Sequence, residues 1–332
     1  MHPFDINLFR CLTLRRIKNL FNTVISYYRH FLVRKYNMLG IPPIFSIEPT
    51  NLCNLHCLQC PTGRGELTRA KGEMNFFLYR DIIESLQDYI IYLLLYFQGE
   101  PMLHKDIISM IELARKHNIY VVLNTNGHFI KNDELAESLV NSGLNGIIFS
   151  IDGASEESYI RYRRGGNFNV VIEGIERLIK TKLKMKSKNP KIYLQFIVMK
   201  HNQDEIKDMK KLGKKLKVNK ILFKSVQVYD KNNYNILIPS MTKFNRYKKV
   251  DDGLVLKSGL KNCCKRILFT SVITWDGFVI PCCFDKNADF SFGKFDNCDS
   301  FKKILNSQKA IEFRKSVFTE RKNISICLNC AE

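Results

Sequence analysis

At 332 residues, 45% of them hydrophobic, the chain can bury a sizeable core as one large domain or two smaller ones. No apolar run approaches the roughly 20 residues of a membrane-spanning helix, and the N-terminus lacks the uninterrupted apolar core of a secretory signal, so a cytoplasmic location is expected. The formal charge of +20 is concentrated in residues 1–40 and 180–220, which together carry +17; this describes two solvated basic segments, not a nucleic-acid-binding face.

The first element, within residues 1–40, is a basic amphipathic helix. Leu14, Ile17, Leu20, Phe21, Val24, Ile25, Tyr28 and Phe31 recur at helical spacing among Arg15, Arg16, Lys18 and Arg29. Two placements are open to it: capping its own fold, which is the expectation, or lying on the inner face of an anionic membrane through residues 8–35.

A strand follows at 43–48 and a helix at 76–89. Strands at 91–97, 119–124, 146–151, 191–199 and 220–226 then alternate with helices at 105–118, 133–143, 169–184 and 204–217. Strands alternating with helices imply right-handed parallel βαβ units. The fold class is therefore α/β, and six such strands suffice for a partial (βα)6 barrel over 41–226. Functional residues are expected at the C-terminal ends of its strands, and the Lys-rich loops entering strands five and six on the opposite face.

The loop "NLCNLHCLQC" after the first strand carries Cys53, Cys57 and Cys60. Eleven cysteines in a reducing compartment point to metal sites more than to disulfides. The C-x-x-x-C-x-x-C spacing suits a cuboidal iron–sulfur cluster in which each thiolate binds a different iron, leaving one iron open; a structural zinc site wants four closed ligands.

On this loop and its placement, the sequence resembles the radical S-adenosylmethionine (radical SAM) enzymes. The resemblance implies a 4Fe-4S cluster on Cys53, Cys57 and Cys60, with S-adenosylmethionine chelated at the open iron. It further implies reductive cleavage to a 5′-deoxyadenosyl radical that takes hydrogen from a substrate, with the electron supplied by a flavodoxin- or ferredoxin-type reductant. "QGEP" is similar to the family's GGEP motif, which implies cofactor contacts at Gln98, Gly99 and Glu100, Gln98 departing from the usual glycine. At the third strand end Asn124 or Asn126 faces the cofactor, although Asn-Gly is also an ordinary turn signal. Ser150 of "SIDG" with Arg163 resembles the family's ribose- and carboxylate-binding pair, Arg161 and Arg164 being rivals; Gln195 is placed near the adenine.

Past a connector at 227–262, expected to line the substrate entrance, residues 263–332 hold most of the remaining cysteines. Cys264, Cys282, Cys327 and Cys330, with Gly277 five positions before Cys282, resemble the shortened "twitch" form of the SPASM extension. That resemblance implies one auxiliary 4Fe-4S cluster, because no further cysteines follow Cys330. Cys263 and Cys283 leave the register open by one residue, and a zinc-ribbon or rubredoxin-like site is the structural alternative. Cys11 and Cys298 match nothing and are expected to be packed or surface thiols. The implied function is a radical SAM oxidoreductase. With only about 40 residues before the barrel, a small or sugar-like substrate is favoured over a peptide. The alternatives are a SPASM-type peptide maturase and a non-catalytic iron–sulfur electron-transfer or RNA-binding protein.

Overall fold

In the computed structural model, residues 6–229, 233–250 and 253–331 are described; the parts of the expected connector at 230–232 and 251–252 lie outside them. Six strands, β1 (Ile44–Ile47), β2 (Tyr92–Leu94), β3 (Tyr120–Thr125), β4 (Gly146–Ser150), β5 (Lys191–Val198) and β6 (Lys220–Ser225), each pair in parallel with their neighbour in sequence. Helices α2 (Phe76–Leu86), α3 (Ile107–Lys116), α4 (Asp133–Asn141), α5 (Glu156–Tyr162), α6 (Phe168–Lys184) and α7 (Ile206–Lys215) occupy the crossovers. The fold is the α/β partial barrel that the alternation predicts.

Strand alternation divides the side chains into two layers. Phe45, Ile47, Val121, Leu123, Ile147, Phe149, Leu194 and Phe196 face outward and pack with Tyr79, Ile83, Met110, Leu139 and Ile175 of the helices. The inward face is stratified along the strands. Tyr92, Leu94, Tyr120, Val122, Ile148, Tyr193 and Leu222 form an apolar plug, joined from below by the buried Cys11. One step further along the same faces stand the polar residues Asn124, Ser150 and Gln195. The barrel is thus dry at its floor and polar at its mouth.

The sheet does not stop at six strands. β9 (Thr270–Ile273) pairs in parallel with the free edge of β1, β10 (Phe278–Ile280) returns antiparallel, and β11 (Gly293–Lys294) follows, giving nine strands among the described residues. Gly277 makes the β9–β10 turn at φ +90°, a conformation that favours glycine. The Cys-rich region is therefore built onto the barrel's own sheet, and α10 (Cys298–Leu305) sets Phe301 against Phe45 with ring centroids 5.5 Å apart. Between barrel and Cys-rich region, α8 (Tyr234–Leu237) and the hairpin β7 (Tyr247–Val250) with β8 (Gly253–Leu256) interrupt the connector.

The N-terminal helix α1 (Leu14–Leu32) docks on the barrel, as expected, but with the opposite face to the one its apolar stripe suggests. Arg16, Asn19, Thr23, Ser26 and His30 are buried, while Leu14, Phe21 and Phe31 are 87%, 65% and 53% exposed. The Arg16 guanidinium donates to the carbonyls of Cys11, Gln87, His117 and Asn118, satisfying the C-terminal ends of α2 and α3, where a cation is favoured. Asn19 exchanges two hydrogen bonds with the Ile41 backbone, and the Thr23 hydroxyl adds a third to the Ile41 carbonyl. Buried hydrogen bonding, joined by the packing of Tyr27 and His30 near Phe318, keeps this helix in place.

Candidate iron–sulfur and cofactor site

After β1 the chain leaves the sheet for a long loop whose base is tied shut. Asn51 donates to the Ala70 carbonyl at 2.8 Å and accepts from the Gly72 amide at 2.9 Å, and the Met74 amide bonds the Pro49 carbonyl at 2.7 Å. Glu48, fully buried at the end of β1, takes two hydrogen bonds from Arg69, and its oxygens also accept from the Gln98 and Trp275 amides at 3.2 and 3.1 Å. One carboxylate thus joins the first strand, the loop, the second strand end and the β9–β10 turn.

The loop holds Cys53, Cys57 and Cys60 above the polar layer. Its backbone is backed by the segment after α5, with the His56 amide on the Arg164 carbonyl at 2.9 Å and the Leu58 amide on the Tyr162 carbonyl at 3.1 Å. Gly99, at φ +72°, lies so close beneath the loop that a Cβ would come within 2.5 Å of the Thr50 carbonyl oxygen. The Glu100 amide bonds the Leu52 carbonyl at 2.7 Å. Here Gly99 is explained by close approach of backbone to backbone. Glu100 is buried, accepting from the Thr125 hydroxyl at 2.7 Å, the Asn126 amide at 2.6 Å and the Met102 amide at 3.0 Å. Burial outweighs those donors and pushes its carboxyl up to about 7. Gln98 is buried and accepts from the Thr62 hydroxyl at 3.2 Å.

The remaining candidates fall into two groups. Ser150 donates to Asn124 Oδ1 at 2.9 Å and accepts from Gln195 Nε2 at 3.4 Å, linking the ends of β3, β4 and β5. Asn126 instead reaches the Cys loop, donating to Asn54 Oδ1 at 2.7 Å. Of the three rival arginines, Arg161 and Arg164 are exposed and Arg163 turns inward. Its guanidinium meets the fully buried Asp152 at 2.6 and 2.8 Å and lies 3.7 Å from Cys57 Sγ. Burial works against its charge, but the carboxylate of Asp152 outweighs that and holds Arg163 firmly cationic. Asp152, inside the quoted "SIDG", went unremarked in the sequence. Its only sign there was a charged residue at the end of a buried strand.

Burial pushes the Cys53 thiol up to about 12 and raises that of Cys57, with Arg163 pulling the latter back. Thiolates at these positions require a strongly cationic partner, the condition an iron–sulfur cluster meets. Among the described residues no three Cys, His, Asp or Glu side chains converge as the ligands of a single ion would. Cys53, Cys57 and Cys60 lie close enough to act on one another's charge, and three sulfur donors from one loop match a cluster that takes each through a different iron.

In the Cys-rich region, Cys264 and Cys327 lie close enough to Cys282 to help raise its thiol, burial being the main cause, and Cys330 stands beside Cys327. Arg321, buried, donates to the Cys263 carbonyl at 2.7 Å and to the Cys327 sulfur. Cys283 also borders Cys282, but its sulfur accepts from Arg266 at 3.1 Å on the side of Tyr96 and Tyr229. The connector closes over the Cys loop, with Val228, Leu237, Tyr247 and Leu256 packed on Leu55 and Cys57.

The family model for the radical SAM superfamily matches residues 47–216. The chain belongs to that superfamily. Residues 263–331 match the SPASM iron–sulfur cluster-binding domain. A 4Fe-4S cluster and S-adenosylmethionine are thus the cofactors of this radical SAM protein, and the SPASM domain implies auxiliary clusters. It is 25% identical over 250 residues to a tungsten-containing aldehyde ferredoxin oxidoreductase cofactor-modifying protein of Pyrococcus furiosus, covering 71% of this chain and 69% of that one. It is 24% identical over 308 residues to a GTP 3′,8-cyclase of Nautilia profundicola, covering 83% and 89%. In fold it is similar to Streptococcus suis SuiB bound to S-adenosylmethionine, with a TM-score of 0.64 at 12% identity over 90% of this chain and 74% of that one. SuiB has also been solved with its precursor peptide SuiA.

Proposed function

We propose that this radical SAM protein is an oxidoreductase of the cytoplasm that abstracts hydrogen from its substrate in a two-electron oxidation or modification assisted by one auxiliary cluster. The observation that carries the reading is the three-thiol loop, with Cys57 buried and Cys53 and Cys60 half-buried, set at the strand ends with Arg163, paired to Asp152, beside Cys57. Cys53, Cys57 and Cys60 would hold the 4Fe-4S cluster, which, with a flavodoxin- or ferredoxin-type partner as reductant, would supply the electron for reductive cleavage of S-adenosylmethionine. Arg163, held by Asp152, offers a cation for the methionine carboxylate, and Asn124, Ser150 and Gln195 offer hydrogen bonds to ribose and adenine. The apolar plug below and the connector above keep water from the reacting centre.

Substrate class does not follow from the likenesses. The named relatives include a GTP cyclase and a cofactor-modifying protein, while SuiB is a structure solved with a peptide. The preference for a small, sugar-like substrate gains no support from them, and a peptide side chain is an equal reading. A non-catalytic electron carrier is disfavoured because it has no use for a buried guanidinium and a polar layer around the cluster loop.

Iron content tests the auxiliary site. Reconstituted protein should hold about eight irons per chain, and alanine at Cys264, Cys282, Cys327 and Cys330 should leave about four, with cofactor cleavage retained. Cys263→Ala and Cys283→Ala should leave the count unchanged. A fall in iron with either of those two shifts the register by one, and release of zinc in place of iron removes the redox role.

A further inference from the structure

Among the described residues no element covers the outward face of α1, and its chemistry is specific. Leu14, Ile17, Phe21, Tyr28, Phe31 and Leu32 form one exposed apolar stripe, the reverse side of the buried polar stripe that anchors the helix. Phe9, just before it, is 71% exposed. Scattered exposed apolar residues need no explanation, but a contiguous row with two phenylalanines and a tyrosine does. The charge that this segment itself carries has one sign. From Ile6 to Gly40 there is no Asp or Glu, while Arg10, Arg15, Lys18, Arg29, Arg34 and Lys35 border the stripe.

Beside the helix, on the flank carrying Arg15 and Lys18, a groove of about 420 Å³ opens between α1 and α10. Its polar lining consists chiefly of Arg15, Lys18, Asn22, Lys302 and Asn306 with the single carboxylate of Asp88, which pairs with Arg15. Three cations, two of them paired with the exposed carboxylates of Asp88 and Asp299, stand next to an apolar stripe and match the two halves of an anionic phospholipid: phosphate in the groove, acyl chain under the helix. A second copy of the chain fits less well, since a symmetric pairing of the stripes would bring two cationic borders together.

We propose that α1 docks this protein on an anionic membrane surface, its apolar stripe entering the interface and the adjoining groove receiving lipid phosphate. Arg16 fixes the helix to the C-terminal ends of α2 and α3, which lead into the N-terminal ends of β2 and β3. The membrane therefore meets the floor of the barrel and the cysteine loop faces away from it. The helix binds along the surface and does not cross it: no helix among the described residues is long and apolar enough to span.

The test is flotation of the purified full-length protein with vesicles of phosphatidylcholine alone, or with roughly a third phosphatidylglycerol. The wild type should float with the anionic vesicles at least about tenfold better than with the neutral ones, and release as salt shortens the Debye length below about 5 Å. Changing Ile17→Ser, Phe21→Ser and Phe31→Ser together should lower recovery at least about tenfold, with Phe21→Ser alone giving a partial loss that guards against misfolding of the triple variant. Changing Arg15→Gln, Lys18→Gln and Lys302→Gln should abolish the preference for phosphatidylglycerol. Both variants should keep helical circular dichroism and iron content. The proposal is overturned if the wild type floats with neither vesicle, if the serine variant floats like wild type, or if the glutamine variant keeps its lipid preference. It is also overturned if light scattering finds a wild-type dimer that the serine variant dissolves while vesicles bind neither protein.

Discussion

Glu100 concentrates the conflict between burial and function in one side chain. Three donors face its oxygens, yet desolvation places its carboxyl at about 7, against an ordinary value of 4.5. Between those two values the native state holds a proton that the unfolded chain has lost, so stability falls as pH rises. In cluster-free protein the stabilisation is fully present below pH 4.5 and lost above pH 7, a change of about 3 kcal/mol. Urea titrations across that window should show the decline, and Glu100→Gln should flatten it whatever its effect on overall stability. An unchanged slope in the variant would assign the pH dependence to another group. Arg163 makes the complementary case: its guanidinium, only 12% exposed, keeps its charge compensated because Asp152 is buried with it.

At the scale of elements, α1 shows how hydrogen bonding can overrule the usual sense of an amphipathic helix. Periodicity announces two faces but not which one is buried; Arg16, Asn19, Thr23, Ser26 and His30 keep the same three- and four-residue spacing as the apolar stripe. The decisive information is nonlocal, because Arg16 answers carbonyls about 70 and 100 residues away. Arg16→Ala should strand those carbonyls and cost about 2–4 kcal/mol, read as a lowered denaturation midpoint and earlier proteolysis within α1. An Ala variant as stable as wild type would mean that the apolar residues on the helix flanks hold it instead. Strands β1 to β6 and most crossover helices were legible, since each is a run of apolar residues with a clear period. The short α5 was not, and neither was the joining of β9 to β1, because a parallel pairing between residues more than 200 positions apart leaves no local mark.

Across the whole molecule one sheet serves both iron–sulfur regions. β1 delivers the three-cysteine loop on one side and accepts β9 on the other, while Glu48 bonds both the loop's Arg69 and the Trp275 amide of the hairpin. The cysteine patterns stand out in the sequence by their spacing, since thiols so arranged have few other uses. Their setting was not: the Glu48–Arg69 tie, Arg321 behind Cys327, and Arg266 on Cys283 are single charged residues whose partners only folding supplies. The nine strands thus hold the three-cysteine loop at the barrel mouth and the SPASM region along its edge, with α1 on the opposite floor.

The most direct measurement is the formation of 5′-deoxyadenosine from S-adenosylmethionine by anaerobically reconstituted, dithionite-reduced protein. The wild type should produce it, and the variant with Cys53, Cys57 and Cys60 all changed to Ala should produce none. Cleavage by the triple variant at the wild-type rate, or a wild type that carries its cluster and yields no 5′-deoxyadenosine, would contradict the account.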